Sequence, residues 1–124
     1  MRATAFIFGA GGGGQRAYRF YGERFEVLGF LDNNPHMAGK TVQGLQVWPP
    51  DHLARRPFDR ILIASGRGYE IYDQLLTLGI DDGRIEFVPG DVMGGRYEPP
   101  WRLLRQVAAI SLGLFVVLGL CIWV

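Results

Sequence analysis

The 124-residue sequence has little of several features that define common protein classes. Its single cysteine, Cys121, cannot form an internal disulfide, and with the two histidines, His36 and His52, it lacks the spacing of metal ligands. The 13 basic and 12 acidic residues give a net charge of +1, which provides no broad positive field for a phosphate backbone. The composition therefore argues against a disulfide scaffold, a metal site and a nucleic-acid partner.

Charge is absent altogether from residues 107–124, which read VAAISLGLFVVLGLCIWV. As a helix these residues would be about 27 Å long at ~1.5 Å per residue, close to the ~30 Å of a bilayer's hydrocarbon core, and Leu103 and Leu104 extend the run. The alternative is a buried core helix, but a domain of about ninety residues is too small to enclose one without a polar stripe. We predict a membrane-anchoring helix within residues 101–124.

The residues that flank this run predict its orientation. Arg96, Arg102 and Arg105 precede it and no basic residue follows it, so the positive-inside rule places the preceding domain in the cytoplasm. The apolar run at residues 5–8 is too short for a signal peptide. Residues 89–100, rich in proline and glycine, are predicted to be a linker. We therefore expect a single-pass membrane protein with a cytoplasmic domain over residues 1–88.

That domain alternates short apolar runs with helical patterns. We predict five strands, at residues 4–8, 25–31, 44–48, 60–64 and 84–88, and helices at 15–21, 52–55 and 69–78. Strands that alternate with helices of about ten residues are typical of parallel βαβ units. The prediction is an α/β fold with a small, doubly wound parallel sheet in the order 3-2-1-4-5, whose first and fourth strands end side by side.

The loop after the first strand carries the main functional signal. Its sequence, GAGGGG, satisfies G-x-G-x-x-G between a strand and a helix, and Asp32 follows the second strand. In this Rossmann fingerprint the backbone and the helix N-terminus receive a pyrophosphate, and the acidic residue meets ribose hydroxyls. The predicted ligand-binding residues are Gly9, Ala10, Gly11, Gly12, Gly13, Gly14, Asp32 and Ser65, the last following the fourth strand.

Each of these residues also has a purely structural interpretation. A run of glycines can serve only to join a strand to a helix. Asp32 begins Asp-Asn-Asn-Pro, which is strong turn chemistry, and Ser65 fits a plain turn between strand and helix. The sequence alone leaves both interpretations open.

Three segments in order, FIFGAGGGG, VLGFLDNNPHMAGKTVQGLQVWPPDHL and FDRILIASGRGYEIYDQLLTLGI, carry a family resemblance. They resemble the Rossmann-like, CoA-binding-like domain of bacterial nucleoside-diphosphate-sugar epimerases and dehydratases of polysaccharide biosynthesis. They are also similar to the N-terminal nucleotide-sugar-binding domain of sialic-acid O-acetyltransferase-type enzymes. The resemblance spans residues 3–88. It implies that Gly9, Gly11 and Gly14 approach phosphate, that Asp32 approaches a sugar or ribose, and that the ligand is NAD(P) or a nucleotide sugar.

The sequence also departs from these families. The epimerases and dehydratases have a further catalytic dinucleotide domain and the acetyltransferases a left-handed β-helix, and the remaining residues are too few for either. Related catalytic domains use a Tyr-x-x-x-Lys pair, whereas the only lysine here, Lys40, has His36 four residues earlier. We therefore assign no catalytic residue.

Three functions compete at this stage. The first is a membrane-anchored nucleotide or nucleotide-sugar binding module, without catalysis of its own, in cell-envelope polysaccharide metabolism. The second is an enzyme subunit that a partner completes, in which Asp32 or His36 transfers a proton. The third is a ligand-free interaction protein whose Ala109-x-x-x-Gly113 spacing lets its helix pair with a membrane protein or a second copy.

Overall fold

The apolar run near the N-terminus forms an inner strand of a six-stranded sheet. The computed structural model describes residues 2–94. In it β1 (Ala3–Phe8) pairs in parallel with β2 (Phe25–Leu31) on one side and β5 (Arg60–Ile63) on the other. The remaining elements are α1 (Gly12–Tyr21), β3 (Thr41–Val42), β4 (Leu45–Trp48), α2 (Gly68–Thr77) and β6 (Ile85–Phe87), with short 3₁₀ turns at Pro50–Ala54 and Asp82–Arg84.

The strand order is β3-β4-β2-β1-β5-β6. The last five correspond to the predicted order 3-2-1-4-5, which is confirmed. The prediction of a wholly parallel sheet is wrong at one edge, because β3 pairs antiparallel with β4. Gln43 and Gly44, with φ of 49° and 80°, form the two-residue turn between them, so Gly44 lies in the turn and not in a strand. A two-residue strand is too short to show the alternation of apolar and polar residues from which strands are predicted.

Helices cover both faces of the sheet, as the doubly wound prediction requires. Because alternate residues of a strand point to opposite faces, β1 sends Ala5 and Ile7 towards α1 and sends Phe6 and Phe8 towards α2. On the α1 face the core includes Ala17 and Tyr21, and on the α2 face it includes Ile71 and Leu75. The two helices therefore leave the sheet in opposite directions, and a crevice opens between their N-termini.

The chain after β6 turns back onto α1. The backbone N–H groups of Val92 and Met93 both donate to the Pro89 carbonyl, at 3.0 and 3.2 Å, and both side chains pack on the α1-face core. Arg16 Nη1 donates to the Met93 carbonyl at 3.1 Å. The first residues of the predicted linker thus pack on the domain, while residues 95–100 and the predicted membrane helix lie outside the described residues.

Within residues 2–94, no helix is both long enough and apolar enough to cross a membrane.

Candidate functional site

The glycine loop begins with a residue that only glycine can provide. Gly9 has a φ of 119°, and a Cβ there would lie 2.3 Å from the Ala64 carbonyl oxygen. Its N–H donates to the Leu31 carbonyl at 2.7 Å, while the Ala64 N–H donates to the Phe8 carbonyl at 2.9 Å. Gly9 therefore holds the chain between the ends of β2 and β5, at the point where the sheet reverses its winding.

Helix α1 starts directly over this turn. A Cβ on Gly14 would lie 1.7 Å from the Gly9 carbonyl oxygen, so glycine is needed there for the helix to approach the strand. Gly11 is the N-cap residue, but no side chain caps the helix and its first turn holds no acidic residue. A Cβ on Gly11 would meet no atom within 4 Å beyond its chain neighbours. The uncapped N–H groups and the positive end of the helix dipole are therefore available to an anion.

Asp32 braces the glycine loop. Its Oδ2 accepts a hydrogen bond from the Ala10 N–H at 3.0 Å, and its Oδ1 accepts one from the Asn34 N–H at 2.8 Å. The second bond is the Asx turn that Asp-Asn-Asn-Pro predicts, whereas the bond to Ala10 links two segments far apart in sequence. Each oxygen retains a second lone pair, so bracing and contact with a ligand hydroxyl are compatible.

Ser65 starts the turn that leads into α2. Its Oγ accepts a hydrogen bond from the Arg67 N–H at 3.2 Å, and Arg67 is the N-cap residue of α2 without a side-chain cap of its own. This side-chain bond to the backbone two residues on is an ordinary ST turn. Ser65 thus has the structural role that the sequence allowed, and its side chain also borders the crevice.

Two clefts meet over the carboxyl ends of β1, β2 and β5, and they share Gly9, Asp32 and Ser65. The α2-side cleft has a volume of about 380 Å³ and is lined in addition by Phe8, Asn33, Asn34, Arg67, Glu70, Ile71 and Gln74. The α1-side cleft has a volume of about 550 Å³ and is lined in addition by Gly11, Gly13, Ala64, Gly66, Gly90, Met93 and Gly94. Because they share three lining residues, the two clefts form one continuous crevice.

The structure separates the predicted site residues into two groups. Gly9, Gly11, Gly13, Asp32 and Ser65 line the crevice. The other three, Ala10, Gly12 and Gly14, line neither cleft. Ala10 is buried and presents its N–H to Asp32, Gly14 lies buried beneath Gly9, and Gly12 is exposed at the start of α1. Within the described chain, no group of three or more His, Cys, Asp or Glu side chains is placed to hold a metal ion.

Sequence reasoning missed a pair of amides on the α2-side cleft. Asn33 Nδ2 donates to Gln74 Oε1, and Gln74 Nε2 donates to Asn33 Oδ1, both at 2.9 Å. The pair links the loop after β2 to the middle of α2, across 41 residues of sequence. No local pattern signals such a contact, although Asn33 directly follows Asp32.

Sequence reasoning also missed the contribution of Met93 and Gly94, which come from the predicted linker and close the far side of the α1-side cleft. A Cβ on Gly13 would lie 3.4 Å from Met93 Cβ, so the turn after β6 touches the glycine loop itself.

A comparison with protein families finds one match, described as C2185-like, N-terminal, which extends over residues 1–86. The chain belongs to this family. A comparison with curated proteins finds no match.

Solved structures similar to this C2185-like domain have the Rossmann-like fold. UDP-D-quinovosamine 4-dehydrogenase from Vibrio fischeri matches with a TM-score of 0.60 and 18% identity, over 72% of this chain and 80% of that chain. The RSP protein in complex with β-NAD⁺ and operator DNA matches with a TM-score of 0.59 and 17% identity, over 95% and 61%. RSP, a Rex-family repressor, in complex with β-NADH matches with a TM-score of 0.58 and 21% identity, over 90% and 64%. The chain thus spans less than two thirds of the repressor's length.

Proposed function

We propose that the C2185-like domain binds a ligand that contains a nucleoside diphosphate, either NAD(P) or a nucleotide sugar. One observation carries the proposal: the N-terminus of α1 is uncapped and opens into a crevice at Gly11, where a side chain would find free space. A diphosphate placed there would take the N–H donors that the protein leaves unused. The Asp32 carboxylate, at the junction of both clefts, would accept hydrogen bonds from sugar hydroxyls.

The comparisons support this ligand class. RSP is a structural neighbour in complexes with β-NAD⁺ and β-NADH, and the Vibrio fischeri neighbour is named for its action on a UDP-sugar. The expected absence of a nucleic-acid partner remains a prediction. It is supported by the net charge of +1, even though RSP also binds operator DNA.

We further propose that the module has no catalysis of its own, is anchored to the membrane through residues 101–124 with the domain in the cytoplasm, and serves cell-envelope polysaccharide metabolism. The catalytic alternative needs Asp32 or His36 as a proton-transfer group. Asp32 braces the glycine loop through hydrogen bonds from the Ala10 and Asn34 N–H groups, a role that needs no proton transfer, and the exposed His36 lies outside the linings of both clefts. These contacts favour a binding role over an enzyme subunit completed by a partner.

The test is direct binding. Calorimetry on the purified chain with NAD⁺, NADP⁺, a UDP-sugar and CoA should detect binding of at least one of these ligands. Gly11→Val should abolish that binding and leave the fold intact, because the new side chain occupies the cleft and its Cβ meets no atom of the domain within 4 Å beyond its chain neighbours. Gly83→Val is the matched control, since a Cβ there also meets open space but Gly83 lies far from the crevice, beside Arg60.

Two results would contradict the proposal. If the folded wild-type chain binds none of the four ligands, the ligand-free interaction protein becomes the better description. If a ligand binds and Gly11→Val leaves its Kd unchanged, the ligand lies elsewhere on the domain.

A further inference from the structure

The two helices present opposite charges to solvent. Helix α1 contains Arg16 and Arg19 and no acidic residue, whereas α2 contains Glu70 and Asp73 and no basic residue. The helices cover opposite faces of the sheet, so the basic helix α1 lies on one side of the domain and the acidic helix α2 on the other.

Helix α1 also carries an exposed aromatic ring. Phe20 is 64% exposed, and its ring stands 4.9 Å from that of Tyr21. A shallow groove of about 470 Å³ runs between α1 and the turn after β6, lined by Arg16, Arg19, Phe20, Asp91 and Val92. Asp91 is the single acidic residue among these five. A helix face that combines arginines with an exposed aromatic ring is typical of helices that lie at the level of lipid headgroups.

The chain leaves the described domain on this same side. A Cβ on Gly94 would lie 2.8 Å from Arg16 Nε, so the last described residue touches α1. The twelve residues that follow contain three arginines and one glutamate, and the charge-free run comes directly after them. Twelve residues reach at most ~40 Å when fully extended. An anchored run would therefore keep the whole domain near the bilayer, with α1 on the side from which the chain leaves, and there even a weak contact is well populated.

We propose that the solvent-facing side of α1, centred on Arg16, Arg19 and Phe20, rests on a bilayer containing anionic lipid. The arginines meet the headgroup charges and the Phe20 ring enters the interface. This inference rests on the membrane anchor of the proposed function. It adds an orientation, in which the acidic face of α2 points away from the bilayer.

The test places a probe on each side of the domain in the full chain, reconstituted into lipid vesicles. With Cys121→Ser as background, Phe20→Cys and Leu78→Cys each carry one environment-sensitive fluorophore, and nitroxide-labelled lipid serves as quencher. Leu78 is the matched control because it follows α2 directly and is 51% exposed. In vesicles with phosphatidylglycerol, quenching at position 20 should exceed that at position 78 several-fold. The difference should shrink in pure phosphatidylcholine and in the Arg16→Gln, Arg19→Gln double variant.

Equal quenching at positions 20 and 78, or quenching at position 20 that ignores phosphatidylglycerol, overturns the inference. Carbonate extraction of the same samples tests the anchor separately. If carbonate removes the chain but the probe at position 20 is quenched, the result supports contact between α1 and lipid and contradicts the membrane anchor. A retained chain with equal quenching overturns the α1 surface alone, and a removed chain without quenching overturns both. Nucleotide binding is measured independently of either result.

Discussion

The close contact between Gly14 and Gly9 gives a sharp prediction about stability. In Gly14→Ala the new Cβ would stand 1.7 Å from the Gly9 carbonyl oxygen and 2.7 Å from the carbonyl carbon. Ordinary van der Waals contact begins at about 3.4 Å, and both atoms belong to backbone, so α1 must move away from β1. Overpacking of this kind costs about 3 kcal/mol, while alanine in a helix regains at most ~1 kcal/mol over glycine. We expect a net loss of about 2 kcal/mol.

Thermal unfolding followed by circular dichroism measures this loss. For a domain of this size a loss of about 2 kcal/mol lowers Tm by roughly 10 °C. Gly12→Ala, two residues earlier in the same helix, is the control. Its Cβ would meet only the guanidinium of Arg16, at 3.2 Å, and a side-chain end can shift by a few tenths of an ångström where backbone cannot, so its Tm should stay within about 3 °C of wild type. Equal Tm values for the two variants would refute the close approach of α1 to the glycine loop.

Two other features give predictions of their own. The His52 ring stacks on the Trp48 ring with 4.0 Å between the ring centres, and its Nε2 is buried without a hydrogen-bond partner in the described chain. The pKa of His52 is lowered from 6.5, first by burial and then by the nearby positive charges of Arg56 and Arg55. As the pH drops below about 6.5, the unfolded chain takes up a proton at His52 more readily than the native state, so the free energy of unfolding should decrease. Denaturant titrations between pH 7.5 and 5.5 should show this decrease, and it should be smaller in His52→Phe. For the amide pair, a double-mutant cycle with Asn33→Ala and Gln74→Ala should give a coupling of about 0.5–1 kcal/mol, and a coupling near zero would mean that the pair does not hold in solution.

The sequence predicts the strands of the inner sheet well because their signal is local. The pattern predicts a strand over residues 25–31, and β2 has the same bounds, because a short apolar run bounded by polar turns leaves few alternatives. The glycine loop is similarly predictable, since Gly9 and Gly14 are required by the geometry that the fingerprint encodes. The sequence does not predict strand β3, because its pairing depends on a turn at Gln43, and glutamine rarely adopts positive φ.

The side chains of the crevice were only partly predictable. The position of Asp32 after β2 predicts that it lies at the crevice, but its hydrogen bond to the Ala10 N–H depends on how close two loops lie in the fold. The contact between Asn33 and Gln74 and the approach of Met93 to the glycine loop are likewise tertiary contacts. Their residue types are common in exposed turns and helices, so no spacing rule distinguishes them.

The turn after β6 connects the crevice to the path of the outgoing chain. Met93 and Gly94 line the α1-side cleft, and they are also the residues from which the chain continues towards residue 95. A ligand in that cleft would therefore touch the residues from which the chain continues. Thermodynamic linkage then makes the relation reciprocal. If a ligand favours one placement of Met93 by a given factor, a restraint beyond Gly94 that favours the same placement can change the ligand's affinity by up to that factor.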